Sequence, residues 1–101
     1  MVNYGMFGKL STEPQDRETL VSILTEAAEL MKDVDGCHTY IVSKDANDDD
    51  VVWVMELWES KEAHDNSLTL PAVRELISKA MPILRGSPEG VTVIPVSGKG
   101  L

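Results

Sequence analysis

The eight residues Val51-Val52-Trp53-Val54-Met55-Glu56-Leu57-Trp58 constrain the fold more than any other stretch of this chain. Successive side chains of a β-strand point to opposite faces. Val51, Trp53, Met55 and Leu57 therefore share one face, and Val52, Val54, Glu56 and Trp58 the other. Both faces are largely apolar, as in a strand covered on both sides. A chain of 101 residues forms one domain, spanning 1–101. A domain this short buries only part of its apolar surface unaided, so a second subunit is expected to help.

The rest of the chain supplies the elements that surround this strand. Residues 2–10 alternate as a first strand, with Val2, Tyr4, Met6 and Leu10 on one face and two glycines marking a bulge or a close approach by another group. Thr12, Pro14 and Gln15 form a helix-start signal of the capping-box kind. Leu20, Ile23, Leu24, Ala27, Ala28, Met31 and Val34 then recur at helical spacing, and Gly36 ends the helix. Cys37–Ser43 reads as a second strand. Asp45 to Asp50 is a solvated hairpin tip, because the glycine and distal glutamate of a calcium loop are missing. Ser60 is a good N-cap for a helix containing Ala63, His64 and Ser67. Pro71 breaks or restarts that helix, and Val73, Leu76, Ile77, Ala80 and Leu84 give a second amphipathic stripe. Val91–Val96 is a last strand, placed at an edge or bulge by Pro95.

Strand, helix, strand, strand, helix, strand is the order of an α+β, ferredoxin-like βαββαβ fold, with a four-stranded antiparallel sheet and both helices on one face. The other face must hide Trp53, Met55 and Leu57. A homodimer packed sheet to sheet is expected.

Seventeen acidic residues oppose nine basic ones, for a net charge of −8. That balance repels phosphate backbones and anionic lipid heads, which argues against nucleic-acid and membrane partners. No apolar run approaches the roughly 20 residues of a membrane span, and no basic-then-apolar leader is present. The single Cys37 excludes an internal disulfide, fits a reducing compartment and reads as a small buried thiol in a strand. Together these point to a cytoplasmic protein.

No nucleophile elbow, phosphate-binding glycine loop or metal-ligand spacing occurs, so no metal is expected. Tyr40, Glu56, Trp58, His64 and Ser67 remain as polar-tipped residues able to line an apolar pocket between sheet and helices. Each also has a structural explanation. Trp58 suits core packing, and Tyr40 suits a core ring with its hydroxyl on the backbone. His64 suits an exposed or capping position at the helix start, and Glu56 an ion pair with Arg74 or Arg85.

Asp35-Gly36-Cys37-His38-Thr39-Tyr40, followed by Glu56-Leu57-Trp58-Glu59-Ser60-Lys61-Glu62-Ala63, resembles the antibiotic biosynthesis monooxygenase family. The shared pattern is Gly-x-x-x-Tyr on the second strand, then Glu-x-Trp closing the third before an Ala-containing helix start. The resemblance implies a dimeric α/β barrel. Its members include cofactor-independent monooxygenases of quinols and anthrone-like polyketides, haem-degrading enzymes and an isomerase of a phosphorylated quorum signal. Many carry a histidine four residues after the helix-start alanine, where this chain has Ser67. The haem-degrading branch uses an asparagine on the first strand, near which this chain has Phe7 or Gly8, so haem degradation is disfavoured.

The resemblance thus implies oxidation of a small phenol, quinol or anthrone by O2 without a cofactor. Trp58 would stack on the ring, His64 or Tyr40 would take the proton, and Ser67 and Glu56 would bind the substrate. An isomerase or lyase of a small oxygenated metabolite is the alternative enzyme, and a non-catalytic small-ligand-binding dimer the alternative of another class.

Overall fold

In the computed structural model, which describes residues 1–101, four strands form one antiparallel sheet. They are β1 (Tyr4–Ser11), β2 (Cys37–Lys44), β3 (Val51–Trp58) and β4 (Glu89–Val93), in the order β2-β3-β1-β4. The helices are α1 (Arg17–Met31), α2 (Lys61–Ser67) and α3 (Pro71–Ala80). The architecture is the expected ferredoxin-like one, with its second helical segment split by Pro71. β4 lies at an edge and ends at Val93, so Pro95 falls just beyond the ladder.

The parity of β3 sets the layers. Val52, Val54 and Trp58 are buried on the helix side, whereas Trp53 and Met55 are exposed on the open side. Cross-strand pairing of Ile41 with Met55, Met55 with Phe7 and Phe7 with Val91 extends the open face as an apolar row over all four strands. Gly5 sits on this face because a Cβ there would meet the Val93 side chain at 2.8 Å. That is the close approach its sequence position suggested.

Beneath the helices the core forms two clusters. Tyr4, Met31, Trp58 and Val73 make one, with Met6, Tyr40 and Ala63 packed against it. Leu20, Val52 and Ala80 make the other, with Leu10, Ile23, Leu24 and Leu84 packed against it.

One local expectation is corrected. Thr12 does not begin a capping box. Its hydroxyl donates to the Glu13 carbonyl, its N–H donates to Asp50, and it bridges to Leu84. Thr12 is thereby drawn into the sheet edge and fully buried, and a 3-10 turn at Pro14–Asp16 leads into α1 instead. Within β2, strict alternation would turn His38 inward with Tyr40. A bulge between Cys37 and Thr39 turns it out, and sets the half-buried Cys37 opposite Trp58. Burial, and secondarily the charge of Glu56, raise the Cys37 thiol above its ordinary value.

Ser60 caps α2 as the sequence suggests, accepting the Ala63 N–H at 3.0 Å. Gly36 fixes where that helix lies. It has φ +85°, its carbonyl accepts the Glu59 N–H at 2.8 Å, and an added Cβ would stand 2.7 Å from the Ala63 Cβ. Both backbone strain and a clash oppose any side chain here. Gly36→Ala is expected to destabilise the domain by about 2 kcal/mol or more, measured by urea unfolding against the wild type. Equal midpoints would mean that the turn relaxes without moving α2.

Candidate active site

The geometry of the site follows from three placements. β3 carries Glu56 on its helix side, β2 sets Tyr40 directly opposite Glu56, and α2 crosses above with His64 and Ser67 one turn apart. These four line a cavity of about 200 Å³ whose other walls are apolar. Leu68, Ile77 and Met81 belong to the same lining and are exposed, so they form its rim. A larger, open depression of about 440 Å³ lies outside α2 against Asp33, Asp35 and Glu59, and of these residues only Ser67 faces both spaces.

Trp58 does not line the cavity. It is fully buried, and its indole Nε1 donates to Glu56 Oε1 at 3.0 Å. That bond explains the carboxylate's position. Arg85 is held by Asp50 and Glu13, and Arg74 is exposed, so the expected ion pair of Glu56 with an arginine does not form. Burial raises the Glu56 carboxyl above its ordinary value of 4.5, while the Trp58 hydrogen bond and the charge of His64 oppose the rise.

His64 is buried too, at 7% exposure, against the expectation of a surface position at a helix start. Its ring meets Trp58 edge-on at 5.6 Å and lies tilted to Tyr4 at 5.3 Å. Nδ1 is 2.9 Å from Asp65 Oδ1, and Nε2 is 3.8 Å from Glu56 Oε1. Hydrogen bonds from Lys61 and then His64 lower the Asp65 carboxyl. An ionised Asp65 only accepts, so Nδ1 donates to it, and in the neutral ring Nε2 is the nitrogen that holds the lone pair. The 3.8 Å gap is too long for a direct hydrogen bond, so Nε2 and the carboxyl keep free positions towards the cavity.

Asp65 is the site residue that sequence reasoning missed. The available signal was Lys61-x-x-x-Asp65 at i,i+4 spacing beside the histidine, realised as a 2.7 Å ion pair.

Tyr40 and Ser67 have narrower chemistry than their types allow. Burial, then the charge of Glu56, push the Tyr40 phenol well above its ordinary value. Its hydroxyl therefore holds its proton more tightly than an ordinary phenol, which makes it a poorer proton acceptor. The Ser67 hydroxyl donates to the His64 carbonyl at 2.6 Å, so towards the cavity it offers only lone pairs. No group of three or more His, Cys, Asp or Glu side chains gathers in a metal-binding arrangement.

The sequence signature of the antibiotic biosynthesis monooxygenase family matches residues 4–79, which contain Tyr40, Glu56, Trp58, His64, Asp65 and Ser67. This chain belongs to that family. A crystal structure named for the same family, from Chloroflexus aurantiacus J-10-fl, is 37% identical over 94% of each chain, with a TM-score of 0.85. Another family-named structure, from Deinococcus radiodurans, is 22% identical over 94% of each chain with a TM-score of 0.82. Rv0793 from Mycobacterium tuberculosis is 17% identical, covering 95% of this chain and 97% of its own, at 0.84. The last two likenesses are of fold alone. No curated protein matches the sequence. Family membership gives the cavity a monooxygenase context and suggests small-molecule binding. No helix of this family member is long and apolar enough to cross a membrane.

The raised carboxyl has a consequence for stability. The folded protein holds the Glu56 proton more tightly than the unfolded chain does. Its contribution is therefore fully present below pH 4.5 and is lost as pH rises through the elevated folded value. Glu56→Gln keeps an acceptor for Trp58 without the charge. The stability of this variant relative to wild type is expected to climb as pH rises above 4.5, read from urea unfolding across a pH series. A difference independent of pH would mean that Glu56 titrates as an ordinary carboxyl.

Proposed function

We propose that this chain is a cofactor-independent monooxygenase that oxidises a small electron-rich phenol, quinol or anthrone with O2. The observation that carries the reading is the polar corner of an otherwise apolar cavity. There a buried imidazole, oriented by Asp65, presents its second nitrogen beside the buried carboxyl of Glu56. Such a corner suits removal of a phenolic proton away from water.

His64 Nε2 takes the hydroxyl proton, and the resulting imidazolium, flanked by Asp65, stabilises the substrate anion. Tyr40 donates a hydrogen bond to the same oxygen. Trp58 acts from behind, through the bond that holds Glu56 in place, rather than by stacking on the substrate. A deprotonated quinol can itself reduce oxygen. Two of its electrons convert a ring C–H into C–OH and two convert quinol into quinone. One oxygen atom of O2 ends in the ring and the other in water, so no outside reductant is required.

Oxygen uptake with a metal-stripped preparation and a panel of phenols, hydroquinones and anthrones tests the reaction. Uptake no faster than autoxidation across the panel would sink it, and product formed without oxygen would favour an isomerase or lyase. His64→Ala is expected to lower turnover by the order of 10²-fold. It should also destabilise by roughly 1–3 kcal/mol, because the ring is buried. Trp58→Phe should cost a similar amount by cutting the Glu56 bond. A fully active His64→Ala would return the histidine to a packing role.

The open sheet face supports a homodimer. The row Ile41, Met55, Phe7 and Val91 is continued by Trp53 and Leu57 on the same side. A second copy meeting this face covers both rows at once. Sedimentation equilibrium should find a dimer at micromolar concentration and Met55→Lys should shift it towards monomer. A monomeric wild type would refute the assembly.

A further inference from the structure

The cavity is lined by members of both core clusters, yet its polar groups occupy one end only. Met6, Glu56 and Tyr40 form one cross-strand row on the helix side. Leu10 stands four residues further along β1, about 13 Å away at the ~3.3 Å rise of a strand. Around Leu10 the lining consists of Ile23, Leu24, Ala80 and Leu84, none of which offers a side-chain hydrogen bond. No lysine or arginine lines any part of the cavity. A substrate carboxylate, sulfate or phosphate would be buried there with no lysine or arginine to pair with and beside the Glu56 carboxyl, which is unfavourable.

Size narrows the occupant further. An apolar cavity of about 150 Å³ accepts benzene. The 200 Å³ found here encloses one ring with a short chain, and three fused rings would extend past its rim.

We infer that the occupant is an uncharged one-ring hydroxyarene bearing an apolar substituent, its hydroxyl at His64, Ser67 and Tyr40 and its substituent towards Leu10 and Leu84. The polar end matches a hydroxyl in both directions. Ser67 Oγ and His64 Nε2 accept, and the Tyr40 O–H donates. This narrows the substrate class of the proposed monooxygenase and rests on that reading for the reaction, but not for the fit.

Calorimetric titration under anaerobic conditions tests it, using phenol and 4-alkylphenols from methyl to pentyl, 4-hydroxybenzoate, and anthrone. Affinity should rise about fourfold for each of the first few methylenes, then level off when the chain reaches the rim. 4-Hydroxybenzoate should bind at least tenfold more weakly than 4-methylphenol, and anthrone no more tightly than phenol. Leu10→Phe fills the apolar end and should abolish the advantage of 4-butylphenol over phenol. If that variant does not fold, Leu24→Ala enlarges the same end and should move the plateau to longer chains.

A flat alkyl series overturns the inference, as does 4-hydroxybenzoate or anthrone binding most tightly. The two readings fail separately. Alkylphenols that bind with the expected slope but draw no oxygen remove the oxygenase and leave the fit standing. Turnover of anthrone with a flat alkyl series does the reverse.

Discussion

The bond from Trp58 to Glu56 is the contact on which the site is built. A fully buried indole N–H left without an acceptor would cost on the order of 1–3 kcal/mol, and no backbone carbonyl takes this one. The acceptor is the carboxylate two residues earlier on the same face of β3, only 3.0 Å away. Satisfying the indole therefore brings a titratable group into the apolar layer between sheet and helices. Every other unusual feature nearby answers to that carboxyl. After burial, its charge is the next cause that raises the Tyr40 phenol and the Cys37 thiol, and it is the partner towards which the second nitrogen of His64 points.

The same corner shows how a short helix can be held accurately. α2 has seven residues, too few to be stable by propensity. It is fixed at one end by the Ser60 cap and the Gly36 turn, and along its buried side by His64 against two aromatic rings. Packing of the functional ring and stability of the helix are thus one set of contacts. This is why His64 cannot be treated as a surface residue whose removal leaves the fold untouched.

Most of the fold was legible in the chain because it rests on periodicity. Alternation along Val51–Trp58 gave the correct inner and outer faces, and Pro71 and Pro95 marked the interruption of the helical segment and the end of the sheet. The site was legible in type but not in arrangement. Alternation tells which face Trp58 occupies, not that it lies behind the cavity wall. Composition shows arginines, not that Asp50 and Glu13 hold the one at position 85. The depth of His64 and the part of Asp65 depend on how α2 sits over the sheet, which is set by the close approach of Gly36 to Ala63, residues far apart in sequence. Thr12 was misread because its local pattern was outweighed by pairing with Asp50 and Leu84.

The bulge in β2 changes what kind of sequence variation this protein can absorb. By inserting one residue at His38, it puts Cys37 and Tyr40 on the same side of the sheet although an odd number of positions separates them. The strand in effect changes reading frame at that point. Substitutions along it alter one side chain at a time, and the pocket can accommodate many of them. Loss or gain of a single residue there would exchange the two faces over part of the strand, carrying Tyr40 out of the cavity and Ile41 into it, or sending Cys37 away from Trp58. At this end of the sheet the pocket is specified by chain length as firmly as by residue identity, and homologous relatives would be expected to differ here in letters but not in spacing.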